Sequence, residues 1–101
     1  MRIRYAPRAL RDVDDILAYI HARNPHGAHN VSLAIERAIA LCALTPAAGS
    51  KTDDPGLFRM PLGKYRYTVF YRFDLVSDVL DVVRVIHGAR VKDLGSLPDD
   101  E

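Results

Sequence analysis

Gly63-Lys64-Tyr65-Arg66-Tyr67-Thr68-Val69-Phe70-Tyr71-Arg72-Phe73 and Val79-Leu80-Asp81-Val82-Val83-Arg84-Val85-Ile86-His87-Gly88-Ala89-Arg90 are two runs rich in β-branched and aromatic residues. Between them stands Asp74-Leu75-Val76-Ser77-Asp78, with turn-forming Asp and Ser at its ends. The pattern predicts a β-hairpin. Side chains alternate along a strand, so Tyr65, Tyr67, Val69, Tyr71 and Phe73 share one face, and Arg66, Thr68, Phe70 and Arg72 the other. The second strand sets Arg84 among Leu80, Val82 and Ile86, and His87 and Arg90 stand at its exit. One hairpin therefore offers a packing face and several cations.

The residues before it supply a cover for one side. Arg2-Ile3-Arg4-Tyr5 alternates polar and apolar and predicts a short strand. Pro7 suits a first helical turn, where its missing N–H is not needed. Leu10, Val13, Leu17 and Ile20, widened by Ile16, make an apolar stripe on a helix running to about Arg23. Asp12, Asp14 and Asp15 sit early in that helix and Arg23 at its end, which suits the helix dipole. Asn24-Pro25 ends one helix and caps the next, from Pro25 to about Leu44. Val31, Ile35, Ala38 and Cys42 form the second stripe, and Thr45-Pro46 stops it. Ala47 to Gly56 reads as a polar, mobile loop, and Leu57 to Leu62 as a strand that Pro61 places at an end or an edge. The order is β-α-α-β-β-β, an α+β fold in which a helical hairpin packs on one face of a mainly antiparallel twisted sheet.

A chain of 101 residues, 49% of them hydrophobic, suits one domain with one modest core. We place that domain at residues 1–92 and a flexible acidic tail at 93–101, which holds four acids and no bases. Net charge is +1, yet residues 57–92 carry seven basic side chains against three acidic ones. Two readings fit that excess: a solvated strand face, or a surface for an acidic or anionic partner. The lone Cys42 excludes an internal disulfide framework and reads as a small core residue in a reducing compartment. No apolar run approaches the roughly 18 residues of a spanning helix, and the start lacks a secretory block. A cytoplasmic protein with no membrane contact is expected.

Chemistry-bearing candidates are few. His26 and His29 stand one helical turn apart without a supporting cysteine or carboxylate cluster, so no metal is assigned and no cofactor motif is present. Arg59, Arg66, Arg84, His87 and Arg90 come from neighbouring strands. Converging arginines could clamp phosphates, with His87 as proton-transfer group, a combination suited to RNA cleavage through the 2′-hydroxyl. The plainer reading makes His87 a satisfied strand-end histidine and pairs the arginines with carboxylates.

Tyr5-x-Pro7, Leu17-Ala18-Tyr19-Ile20, Asn24-Pro25, Leu44 with Gly49, Arg59, Gly63-x-Tyr65-x-Tyr67-x-Val69-Phe70-Tyr71-Arg72 and Val85-Ile86-His87-Gly88-Ala89-Arg90 follow in an order and spacing that resembles the RelE/ParE superfamily. These are toxins of type II toxin–antitoxin modules, the plasmid stabilisation proteins. The resemblance spans about Ile3 to Arg90. It implies the fold already read and a cognate antitoxin in a hetero-oligomer, wrapping the toxin and neutralising its basic residues; Arg59, Arg66, Arg72, Arg84 and Arg90 are the expected antitoxin- or target-binding set. RelE-like members cleave mRNA on the ribosome, and that likeness would make Arg59, Arg66, His87 and Arg90 catalytic. ParE-like members poison DNA gyrase without hydrolysis. Pro61 stands where the ribonucleases often carry a base, and the position nearest their catalytic tyrosine is about Ser96. The resemblance is thus nearer to ParE: a gyrase inhibitor, with the ribosome-dependent endoribonuclease and an inactive antitoxin-binding scaffold as alternatives.

Overall fold

The computed structural model describes residues 1–88. Strand β1 (Arg2–Tyr5) leads into helices α1 (Pro7–His21) and α2 (Pro25–Leu44) and a 3-10 turn (Pro46–Ala48). Strands β2 (Ser50–Lys51), β3 (Phe58–Pro61), β4 (Tyr67–Asp74) and β5 (Val79–His87) follow. The sheet order is β1-β5-β4-β3-β2; β1 lies parallel to β5 and every other pair is antiparallel. The α+β arrangement stands, with one strand more than the sequence predicts. Ser50 pairs with Arg59 and Lys51 with Phe58, so part of the expected loop is a sheet edge.

Local chemistry accounts for the helices. Pro7 and Pro25 begin them, and the Asn24 side chain accepts a 2.9 Å hydrogen bond from the Gly27 N–H, capping α2. Arg23 stacks on the Tyr19 ring at 3.8 Å and donates to the Tyr19 carbonyl, which occupies the C-terminal end of α1. The α1 stripe sits slightly off the expected one. Ala9 is fully buried and Leu10 half exposed, while Val13, Ile16, Leu17 and Ile20 pack on the core.

That core lies between the helical hairpin and one sheet face. Val31, Ile35, Ile39 and Cys42 of α2 meet Val69, Tyr71, Leu80, Val82 and Val85. Burying a side chain of this size removes about 1.5–3 kcal/mol of unfavourable hydration. Tyr71 is fully buried, and its hydroxyl donates to the Pro46 carbonyl at 2.7 Å while accepting from the Gly49 N–H at 2.9 Å. The link ties the exit of α2 to the sheet. A Cβ on Gly49 would lie 2.5 Å from both that hydroxyl and the Arg59 carbonyl, so only glycine fits there.

One irregularity reshapes β5. Tyr71 pairs with Val82 but Phe70 pairs with Arg84, leaving Val83 as an extra residue in a β-bulge. The plain alternation of Leu80, Val82, Arg84 and Ile86 therefore fails. Val82 and Val85 join the main core, whereas Ile86 and Val83 join Leu57 and Phe70 in a second cluster.

Candidate functional site

The sheet face away from the helices is the surface to which the sequence points. Arg59 registers with Phe70, and Pro61 with Thr68, so these side chains share that face with the Leu57, Phe70 and Ile86 cluster. Arg59, Arg66 and Arg72 are all exposed. Arg72 donates to the Pro55 carbonyl at 3.0 Å and registers with Asp81, whose carboxylate is gripped by Arg4 at 2.8 and 3.2 Å. Among the described residues, neither Arg59 nor Arg66 forms an ion pair. The result is a buried apolar cluster with exposed guanidinium groups around it.

At the end of the sheet, the turn before β4 and the exit of β5 enclose a cleft of about 390 Å³. Pro61, Tyr65, Arg66, Tyr67, Thr68 and Gly88 line it. Gly63 takes φ of +73°, which lets the turn fold back, and the Gly88 N–H donates to the Arg66 carbonyl and joins the two walls. Among the described lining residues Arg66 is the cation, and a guanidinium suits an anionic ligand.

Two candidates from the sequence do not belong there. Arg84 is 7% exposed, and its Nε and Nη2 reach Asp12 of α1 at 2.7 and 3.2 Å. A third hydrogen bond to Asp12 comes from the Val85 N–H at 3.0 Å, the backbone donor that the bulge turns away from β4. Arg84 is thus a core fastener and is unavailable to a partner, a correction to its place in the binding set. His87 registers with Tyr67, and their rings meet edge-on at 5.3 Å. Tyr67 packs against the core on the helix side, so the imidazole lies on the opposite side from Arg59. Arg90, Ser96 and the acidic tail lie outside the described residues.

The sequence reading missed the task of Asp12, assigning it to the helix dipole. Its signal was available: an acid on the sheet-facing side of α1, opposite a strand arginine. Gly49 and Tyr71 likewise stood in the motif without a stated reason for being there. Cys42 is buried as expected, in hydrogen-bonding contact with Tyr71, and burial raises its thiol pKa more than that contact lowers it. Burial also pushes the Tyr71 phenol up to about 12, against the opposing pull of the Gly49 N–H. Among the described residues there is no group of three or more His, Cys, Asp or Glu able to hold a metal, and no helix is long and apolar enough to cross a membrane.

Residues 3–92 match the family described as the ParE toxin of the type II toxin–antitoxin system parDE. The chain belongs to the ParE toxin family. A Sinorhizobium fredii protein, "Putative toxin Y4kP", is 33% identical over 86 residues, which cover 85% of this chain and 86% of that protein. Among solved structures, the chromosomal ParDE system of P. aeruginosa superposes with a TM-score of 0.74 at 17% identity, over 86% of this chain and 95% of that one. The isolated RelE toxin of E. coli gives 0.61 at 14% identity, over 92% and 97%. The two structural likenesses establish the shared α+β fold. This ParE-family chain is the toxin component of a type II toxin–antitoxin module.

Proposed function

We propose that this ParE-family toxin acts in the cytoplasm by binding DNA gyrase, and that a cognate antitoxin neutralises it by claiming Arg59, Arg66 and Arg72. Arg90, beyond the described residues, belongs to the same proposed set. The observation that carries the reading is the distribution of the cations. Arg84 is consumed by Asp12, and the His87 imidazole lies across the sheet from Arg59. General acid–base catalysis needs the proton-transfer group within hydrogen-bond reach of the reacting atom of a substrate held by those cations. A binding face needs only exposed charge, which Arg59, Arg66 and Arg72 supply on this sheet. In a supercoiling assay, purified toxin at micromolar concentration should inhibit gyrase; absence of inhibition would refute the assignment.

One observation favours a second reading, ribosome-dependent mRNA cleavage: Arg66 lines a cleft of about 390 Å³ at the sheet end. Primer extension on translated mRNA separates the two. Cleavage by wild type that is lost in Arg66→Ala would replace gyrase binding with catalysis. Induction without growth arrest would leave only the inactive scaffold.

A further inference from the structure

The turn between β4 and β5 is built from two kinds of residue. Asp74, Ser77 and Asp78 make the turn itself. The Asp74 carboxylate accepts hydrogen bonds from the Val76 N–H at 2.9 Å and the Ser77 N–H at 3.4 Å. Asp78 takes φ of +59°, a left-handed conformation that aspartate tolerates. The Arg2 N–H donates to the Asp78 carbonyl at 2.9 Å and ties the turn to β1. The backbone is thus held in one shape. The side chains of Leu75 and Val76 add nothing to it. They stand where glycine, proline or a polar residue is usual, they belong to neither core cluster, and they are 72% and 97% exposed.

A single exposed aliphatic residue is ordinary, but an adjacent pair on a pinned turn makes a small apolar knob. Asp74 and Asp78 flank the knob, and both are exposed. Among the described residues no ion pair reaches Asp74, and one Asp78 oxygen lies 3.8 Å from the Met1 amine. These acids select among occupants. Anionic lipid headgroups repel carboxylates at the point of entry. An antitoxin segment that claims Arg59, Arg66 and Arg72 is acidic where it binds and would meet like charges at the tip. A second copy of the tip would set acid against acid. The complement of the knob is an apolar pocket with a cationic rim. A turn already fixed by its own hydrogen bonds loses little freedom on entering such a pocket.

We infer that Leu75 and Val76 anchor the toxin to its target protein, entering an apolar pocket whose lysine or arginine rim faces Asp74 and Asp78. The tip lies at the opposite end of the hairpin from the cleft of Arg66, about 25 Å away along the eight residues of β4. It is therefore a second contact, separate from that cleft. The reading above makes gyrase the target, and the inference rests on that reading for the identity of the target alone.

The test compares the full wild-type chain with Leu75→Ser/Val76→Ser and with Asp74→Asn/Asp78→Asn. The second variant removes both charges but keeps an acceptor at 74 and a residue at 78 that tolerates positive φ. Both should melt within about 4 °C of wild type, because the replaced side chains are exposed. The serine variant should bind purified gyrase at least about tenfold more weakly and keep wild-type affinity for the antitoxin. The asparagine variant should bind gyrase about threefold more weakly at low salt and as wild type at high salt. On induction in cells, the serine variant should no longer arrest growth. Gyrase binding that is equal in wild type and serine variant removes the tip inference and keeps the gyrase reading. Wild type that does not bind gyrase, with growth arrest still lost in the serine variant, removes gyrase and keeps the tip. Arrest that survives in the serine variant, or is absent in wild type, overturns the inference. So does an equal fall in antitoxin affinity, which would assign the tip to the antitoxin, or tip-dependent binding to anionic lipid vesicles, which would assign it to a membrane.

Discussion

Replacing Asp12 by Ala should be among the most damaging single changes in this chain. The carboxylate is 10% exposed and the Arg84 side chain 9%. Three hydrogen bonds converge on it: two from the Arg84 guanidinium and one from the Val85 N–H. Arg8, at 3.5 Å and 37% exposed, adds little because water screens it. The substitution leaves a buried guanidinium without its counter-charge and a bulge N–H without an acceptor. Breaking a buried pair by removing one partner costs about 3–5 kcal/mol, against a total stability of about 5–15 kcal/mol for a domain. With an unfolding entropy of about 2.1 cal/mol/K per residue, a chain of 101 residues loses roughly 14–24 °C in melting temperature. Thermal unfolding followed by circular dichroism reads this directly. Arg84→Met in the Asp12→Ala background should recover a large part of the loss, because it removes the stranded charge. A single Asp12→Ala variant that melts within about 3 °C of wild type would refute the reasoning, since neither the pair nor the bulge would then depend on this carboxylate.

Other expectations follow from the same contacts. Gly49→Ala forces a Cβ to within 2.5 Å of the Tyr71 hydroxyl and the Arg59 carbonyl, so denaturant unfolding should show a loss of at least about 2 kcal/mol, and more than in Tyr71→Phe. The Tyr71 phenol has its folded pKa raised to about 12, from an ordinary value of 10. The folded state therefore holds this proton more tightly than the unfolded state. Its contribution to stability is whole below pH 10 and is lost as pH rises from there to about 12; a pH series of unfolding midpoints should show a shallower alkaline decline in Tyr71→Phe. Cys42 is fully buried with its thiol pKa raised, so a thiol reagent at neutral pH should label the native chain far more slowly than the denatured chain.

Much of the fold is written in local signals. Pro7, Asn24-Pro25 and Thr45-Pro46 bracket both helices to within about two residues, because proline and a side-chain cap act through nearest neighbours. The alternation from Tyr65 to Phe73 gives the correct inner face, since β4 is regular along its length. What escapes the sequence is what depends on pairing. Ser50 and Lys51 join β3 through backbone alone, so no apolar side chain advertises β2. The bulge at Val83 lies in a continuous Val-Leu-Asp-Val-Val-Arg-Val-Ile run with no glycine to mark it. That one extra residue moves Ile86 into the outer cluster, and the bulge that it forms gives Asp12 both the Arg84 side chain and a backbone N–H to hold. In the site, Arg59, Arg66 and Arg72 are legible as surface cations because alternation and turn position place them outward. Arg84 belongs to the same count of charges but not to the same surface, and only the long-range contact with α1 distinguishes it.

The central claim is that the exposed arginines of the sheet serve a macromolecular partner while Arg84 serves the core. Calorimetric titration of the toxin with its cognate antitoxin tests this most directly, using wild type and the Arg59→Ala/Arg66→Ala/Arg72→Ala variant at two salt concentrations. The account predicts a folded variant that binds at least about a hundredfold more weakly, with a smaller loss of affinity as salt rises. Wild-type affinity and salt dependence in the triple variant would contradict it.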